Sequence, residues 1–576
     1  MASRKESWNT RIGVILAVAG SAVGLGNFLR FPGQAAQHGG GAFMLAYFIS
    51  LLIIGLPICW AEWTMGRLGG KLGFNSCPGI LHAITRHPAA KYLGVIGVVI
   101  PIVIYMYYVY IEAWCLGYAI NFLRGELDFD QVGDAAGYWG GFIGAGENGS
   151  AIGFGWSQVG GYLIFVFILN FVLIYRGLAK GIEWFCKYAM PTMIVLALLI
   201  LARVLTLGAP DADHPENSVS KGLGYLWNPN KIILEVRIST DSEDSGWRQT
   251  ALLLPEEYAA MRSAIEADPT RRITETTLLE KIQRPQVWLA AAGQIFFSLS
   301  VGFGIILTYS SYLKQNDDVV LSGLAATSAN EFCEVAMGGL ITVTAGFAFL
   351  GIAGVAANSS TFDLGFKVLP LVFSEMPAGG FFGFLFFFLL FLAAVTSSLS
   401  MLQPGIAFVE ESLDVNRRQS VSILGIITAF GCGFVVYFSE DVKALDTLDF
   451  WVGTFLIYIL ATIQVIIFGW VLGIEEGFKE AHRGAAIRIP VFFGFIIKWV
   501  CPAFLLLIFF TWIIKDVLAI GAGEPDYHIR DLIGESANST AWLSIGVIGM
   551  IFLFVTILVA HAKPKWSIHE QTQEER

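Results

Sequence analysis

Residues 17–31 read Ala-Val-Ala-Gly-Ser-Ala-Val-Gly-Leu-Gly-Asn-Phe-Leu-Arg-Phe. They lie in the first long apolar segment, and Gly20, Gly24 and Gly26 cluster at its middle. Each glycine weakens a helix by roughly 1 kcal/mol relative to alanine, so three this close predict a break. Within a bilayer, a broken helix persists only where protein or a polar cavity satisfies the freed backbone groups. The bland alternative is close packing of small residues against a neighbouring helix. A second break decides between them: Ala22-Val23-Gly24-Leu25-Gly26 recurs as Ser300-Val301-Gly302-Phe303-Gly304 in the sixth apolar segment. Paired Gly-interrupted segments in corresponding halves of a membrane chain point to a ligand site between them.

The composition agrees with a membrane protein. Of 576 residues, 55% are hydrophobic and 14% charged, which excludes an ordinary soluble enzyme. The net charge of −10 resides mainly in loops, and no basic stripe suggests nucleic acid. Met1–Trp8 lacks the apolar run of a signal peptide, so the first span is expected to direct its own insertion. The 7 cysteines include no CxxC pair and the 8 histidines form no cluster, so neither disulfides nor a metal centre is expected. No nucleophile–base signature, phosphate loop or organic cofactor motif appears; the chain does not read as an enzyme.

Apolar runs begin near residues 12, 42, 90, 159, 186, 286, 330, 379, 420, 448, 489 and 541, predicting an all-α protein of twelve transmembrane helices. Arg4, Lys5, Arg11, Arg67, Lys71, Arg86, Lys91, Arg176, Lys180 and Lys187 fall on one side. The loop at 125–158 carries Glu126, Asp128, Asp130, Asp134 and Glu147 with no Lys or Arg. Both termini are therefore expected in the cytoplasm. Helices 1–5 (residues 1–206) and 6–10 (residues 285–474) each open with a broken helix, and five spans per set give an inverted repeat. Residues 475–576 add helices 11 and 12 and a tail. Residues 357–378 read as a structured outer loop. Residues 207–284 form an extended outer loop with an insertion at 208–284, in which Lys231–Thr240 alternates like a strand and Pro255–Ala267 has helical spacing. A solvated excursion is the favoured reading there, a small folded cap the sharper one.

Several motifs in order, Trp8-Asn9-Thr10-Arg11, Gly20 to Phe31, Gly39-Gly40-Gly41-Ala42-Phe43, Gln294 to Ser300 and Thr396-Ser397-Ser398, resemble the neurotransmitter:sodium symporter family, closest to its bacterial leucine-transporter branch. The resemblance runs almost end to end, apart from the 208–284 insertion. It implies a sodium-driven symporter of neutral amino acids in a prokaryotic cell membrane, working by alternating access with two sodium ions. An amino-acid sensor on the same scaffold and a sodium-independent exchanger are the alternatives. The short tails leave little room for a signalling domain, and the intact oxygen side chains count against the exchanger. A homodimer is compatible with the resemblance.

The resemblance also assigns residues. The first sodium takes the Ala22 carbonyl, Asn27, Ser298 and Asn330, completed by the substrate carboxylate. The second takes the carbonyls of Gly20, Val23 and Ala393 with Thr396 and Ser397. The substrate carboxylate faces the free N–H groups near Leu25 and Gly26, at a half-helix start, and the Tyr108 hydroxyl. Carbonyls of Ala22, Phe297 and Ser298 receive its ammonium. Ser21, Ile104, Tyr108, Phe297, Ser300, Phe303, Ser397 and Met401 line the side-chain pocket. Arg30 and Asp449 form an outer gate. Arg4 or Lys5, Trp8, Ser311, Tyr312, Gln403 and Glu411 form an inner one, with Glu411 where the family has Asp. Ser21, Ser298, Ile104 and Met401 stand for the branch's Asn, Thr, Val and Ile. Monoamine carriers place an aspartate where this chain has Gly24. Chloride-dependent members carry a serine at Glu334, one turn after Asn330, so transport is expected to be independent of chloride. Glu62, inside helix 2, is read as an acceptor for N–H groups freed at a break.

Overall fold

The computed structural model describes residues 8–211, 214–237, 246–358, 360–521 and 523–562. Arg4 and Lys5 lie outside them. Helix α1 (Arg11–Ala22) starts at Thr10, whose side chain accepts the Gly13 N–H at 2.9 Å, and ends where Val23 turns extended. After the glycines the chain resumes as α2 (Gly26–Gln37), bent 46° from α1. Then come α3 (Gly41–Lys71), α4 (Ala90–Leu123), α5 (Gly160–Tyr175), α6 (Leu178–Leu205) and the short α7 (Val219–Trp227). An outer unit follows: β1 (Lys231–Arg237), β2 (Trp247–Leu253), α8 (Pro255–Ala267) and β3 (Arg271–Thr276). The chain returns as α9 (Pro285–Leu299) and α10 (Ile305–Ser311), then α11 (Val319–Ala357), α12 (Gly379–Leu413), α13 (Arg417–Tyr437), α14 (Glu440–Ala481), α15 (Phe492–Val517) and α16 (Ser539–His561).

Among the described residues, nine helices are long and apolar enough to span a bilayer, ten when α1 and α2 count as one span. The 16-residue α5 and the interrupted α9–α10 pair fall short of that length. The helices are not equivalent. The apolar stretch of α4 is 100% buried and that of α12 83%, against 33% for α15 and 22% for α16. So α4 and α12 form the centre, while α15 and α16 turn side chains such as Leu507, Phe510 and Leu553 outward, as a lipid-facing surface requires.

The solvated reading of the insertion is overturned: it folds. Its three antiparallel strands run in the order β2-β1-β3, with α8 on one face, its Ile265 packed on Leu234 and Leu253. The opposite face sends Ile233 into the core of the helical body. The alternation read over Lys231–Thr240 becomes a strand as far as Arg237; residues 238–240 lie outside the described residues. The outer loop at 357–378 is also structured, being helical from Thr361 to Glu375.

Candidate functional site

The site is built from the two breaks. Between α1 and α2, the Gly24 N–H donates to Asn27 Oδ1 at 2.8 Å, and the Leu25 N–H points to the Tyr108 hydroxyl at 3.4 Å. A Cβ on Gly24 would stand 2.8 Å from Ser397 Oγ and 3.0 Å from the Tyr108 hydroxyl; one on Gly26 would meet the Phe297 ring at 2.8 Å. Glycine is thus required here for space, not only to weaken the helix. Between α9 and α10 the backbone is left-handed at Ser300 (φ 54°), Gly302 (φ 79°) and Gly304 (φ 79°). Only glycine adopts this conformation at little steric cost, and Ser300 holds it against one. Glu62 Oε1 accepts the Gly302 N–H at 3.1 Å, the role read for it from sequence. The breaks touch: the Ser300 hydroxyl donates to the Ser21 carbonyl at 3.0 Å.

A small cavity sits where they meet. It is lined by Ser21, Ala22, Gly24, Gly26, Ile104, Tyr108, Phe297, Ser298, Ser300, Phe303, Ser397 and Met401. Apart from Leu25, every residue expected in the substrate pocket is on this wall, and Gly24 is the one not expected. Side chains from α4, α12 and the α9–α10 break close it, apolar at Ile104, Met401 and Phe303.

On one flank lies a buried polar cluster. Asn27 Nδ2 donates to Asn330 Oδ1 at 2.8 Å, and Asn330 Nδ2 donates to Ser298 Oγ at 2.6 Å and to Glu334 Oε2 at 3.2 Å. Glu334 also accepts from the Ser298 hydroxyl and the Gln294 amide. A carboxylate with no solvent exposure is costly unless its oxygens are occupied, and here three donors converge on it. Next to it, the Tyr47 hydroxyl donates to Glu331 at 2.8 Å. Tyr47 and Glu331 carry no sequence motif, and Gln294 stood in a motif without a role in the site. A second charged residue beside Asn330 in an apolar segment was the available signal for Glu331.

On the other flank α1 meets α12. The Ser397 hydroxyl lies 3.3 Å from the carbonyls of both Gly20 and Ser21, and Thr396 Oγ1 donates to the Ala393 carbonyl at 2.9 Å. A Cβ on Gly20 would meet Thr396 at 3.3 Å, so the helices approach at the glycine. Val23 closes α1 beside them. The first flank offers amide and hydroxyl oxygens, the second carbonyl and hydroxyl oxygens. Among the described residues there is no group of three or more His, Cys, Asp and Glu able to hold a metal ion.

Beyond Phe297 a second cavity of 390 Å³ opens, sharing Gly26, Tyr108 and Phe297 with the first and lined further out by Arg30, Asp449 and His528. Arg30 and Asp449 both face it without forming an ion pair among the described residues. Arg30 lies 4.4 Å from the Phe297 ring centre, and Asp449 accepts from the Tyr107 hydroxyl at 2.6 Å. At the opposite end, Trp8 is buried, donating to the Tyr309 carbonyl at 3.1 Å and meeting the Tyr309 ring edge-on at 5.1 Å. Nearby, Gln403 bridges the Tyr312 hydroxyl (3.1 Å) and Arg417 (3.0 Å), and the Ser311 hydroxyl reaches Asn75 at 3.1 Å. Glu411 accepts from the backbone N–H groups of Asn75 and Ser76 and from the Ser76 hydroxyl. Arg417, Asn75 and Ser76 had no motif to mark them.

Comparison with known proteins agrees with this architecture. The crystal structure of MhsT in complex with L-phenylalanine superposes with a TM-score of 0.68 over 88% of this chain and 99% of that one, at 24% identity, and so shares the fold. An uncharacterised sodium-dependent transporter of Haemophilus influenzae is 26% identical, covering 88% of this chain and 98% of its own length. One of Methanocaldococcus jannaschii is 27% identical over 90% of this chain and 92% of its own. The sequence model of the sodium:neurotransmitter symporter family matches residues 5–138 and 272–557, leaving out 139–271, which hold α5, α6, α7, β1, β2 and α8. With most of its length matched, both breaks included, this chain belongs to the sodium:neurotransmitter symporter family, whose members are membrane transporters.

Proposed function

We propose that this protein is a sodium-coupled, chloride-independent symporter of neutral amino acids with small or medium hydrophobic side chains, working by alternating access. The observation that carries the reading is the wall of neutral oxygens around the α1–α2 break. Asn27, Ser298 and Asn330 lie on one side, and the Gly20 and Ala393 carbonyls with Thr396 and Ser397 on the other. Hard cations without strong charge are held by such oxygen sets. In this reading the Ala22 carbonyl joins the first sodium site and the Val23 carbonyl the second. The substrate carboxylate completes the first site, held by the N–H groups of Leu25 and Gly26 and the Tyr108 hydroxyl. The ammonium meets the carbonyls of Ala22, Phe297 and Ser298. The apolar wall of Ile104, Phe303 and Met401 receives the side chain, and Glu334 supplies the negative charge that a chloride ion would otherwise bring. MhsT, sharing the fold, was crystallised with L-phenylalanine, which supports an amino-acid substrate.

The same reading counts twelve spans with the short α5 and the α9–α10 pair included. It relates residues 1–206 to 285–474 as inverted repeats, places both termini in the cytoplasm, and makes Arg30 with Asp449 the outer gate. Uptake of labelled amino acids into proteoliposomes is the test. An inward sodium gradient should drive accumulation and a potassium gradient should not; equal uptake under both refutes sodium coupling.

A further inference from the structure

The outer sheet meets the helical body at the far end of α2, and charge accumulates there without an acid to balance it. Lys231, 5% exposed, donates from its amine to the Gly39 carbonyl at 2.7 Å and lies 3.7 Å from the Tyr225 ring centre. Tyr225 in turn donates to the Ala36 carbonyl at 2.6 Å, so both grip the end of α2. Lys281 comes in from the opposite edge, its amine 3.8 Å from where a Cβ on Gly39 would stand. The left-handed Gly39 and Gly40 make this approach possible, since a Cβ on Gly40 would fall 2.8 Å from the Lys231 amine. Between the lysines is a cavity of 250 Å³, whose wall also includes Tyr225, Thr276, Gln37 and Gln249.

Neither lysine has a carboxylate partner among the described residues. Glu235, on the same face of β1 as Lys231, is engaged by Arg272 at 2.6 Å, and Glu280 by Arg284 at 2.8 Å. Burial, and after it the charge of Lys281, pushes the Lys231 amine down to about 7. Capping the carbonyl end of a helix is a reason for a single lysine here. It accounts for Lys231. It leaves Lys281, whose amine makes no hydrogen bond among the described residues, and the cavity between the two unexplained. Two amines without a carboxylate partner among the described residues, at the rim of one cavity with hydroxyls and two amides around it, make an anion receptor, and a bound anion would favour the charged form of both. The volume exceeds that of a halide and suits an anion of several heavy atoms.

We propose that this cavity binds a small oxyanion, a carboxylate or a phosphate, which bridges Lys231 and Lys281 and ties the outer sheet to the end of α2. The other end of α2 carries Gly26 and Asn27, so a bound anion would restrain the element that forms the central site. The proposal does not depend on what the central site transports.

The test uses purified full-length protein in detergent at pH 7.5, with inorganic phosphate or succinate titrated against chloride at matched ionic strength. One oxyanion or both should raise the melting temperature saturably, by about 2 °C or more. The same anion should slow acylation of Lys231 and Lys281 several-fold, read by peptide mass spectrometry, while acylation of the exposed Lys479 stays constant. Lys281→Met, which leaves the Lys231 contacts in place, should abolish the thermal shift. A response to phosphate alone assigns a phosphorylated ligand, and one to succinate a carboxylate. No advantage of either oxyanion over chloride, or the same shift in Lys281→Met, overturns the proposal. The acylation arm needs no variant, so it decides even if Lys281→Met fails to fold.

Discussion

At the residue scale, Glu334 is the side chain whose presence most needs a reason. Its oxygens take hydrogen bonds from Ser298, Asn330 and Gln294, so it is wired into the donors proposed to hold the first sodium. If its charge substitutes for chloride, Glu334→Ser should lower uptake about tenfold or more in gluconate and recover when chloride is restored. The parent should be indifferent to the exchange. Equal activity of the variant in both salts would show that the charge at 334 is incidental. Asn27 makes a second prediction. Its Oδ1 holds the Gly24 N–H and its Nδ2 holds Asn330, so Asn27→Ala unties the α1–α2 break from α11 at once. Sodium and amino-acid affinities should fall together, by a factor on the order of ten, because coupling between bound ligands is reciprocal. In the proposed reading Gly24 sets the ligand class: a Cβ there would stand 2.8 Å from Ser397 Oγ and 3.0 Å from the Tyr108 hydroxyl, which leaves no room for a side-chain carboxylate. The ligand must then bring its own, so alanine should displace labelled substrate in a competition assay and ethylamine should not.

At the element scale, the breaks were legible because glycine has a steric meaning that survives without neighbours. The repeat of the Gly24 pattern at Gly302 located both. The outer sheet was only half legible. The alternation at Lys231 and the spacing of Pro255–Ala267 were visible, but the core they build is Leu234, Leu253 and Ile265 with a few half-buried neighbours. So few apolar residues in a charged segment look solvated until the strands are paired. The connection between α15 and α16 escaped notice altogether, yet it closes one wall of the outer cavity. His528 stacks on Phe450 at 3.7 Å and on Tyr527 at 3.8 Å, with Asp526 at 2.8 Å and Asp446 at 3.4 Å from its nitrogens. Lys443, nearby, is bonded to Asp531 at 2.6 Å. Burial works against protonation of His528, but the two carboxylates outweigh it and hold its pKa above the ordinary histidine value. The sign follows: the folded state binds the proton more tightly, so this stabilisation is complete below about pH 6.5 and is lost as pH rises through the folded pKa. Hydrogen exchange of residues 524–533, corrected for the intrinsic rate, should show more protection at pH 6 than at pH 8.5. In His528→Gln the difference should vanish; its persistence would assign it to another group.

At the scale of the whole molecule, residue types announce a gate, but they do not announce its position. Arg30 and Asp449 could be matched to an outer pair from sequence, yet in this structure each has another partner and the 390 Å³ cavity lies before both. At the other end Trp8 is buried and packed on Tyr309. A cavity open on the outer side, with Trp8 as an inner plug, is one of the two states that the proposed alternating access requires. Which state a chain rests in depends on small differences between large packing energies that no motif records. The proposed function sets the direction of the next step. Sodium and substrate at the α1–α2 break would draw Phe297 and Arg30 inward over the ligand, bringing Arg30 towards Asp449. Spin labels at Gln34 and Thr454, both on the wall of the outer cavity, should therefore move closer when sodium and a transported amino acid are added together. Sodium alone should give a smaller change. Trp8→Ala removes the plug without touching either ion site, so it should shift the resting population towards closure of the outer cavity even without ligand. A Gln34–Thr454 distance that stays fixed under all three conditions would mean that α2 does not move as a gate, and alternating access through this cavity would have to be abandoned.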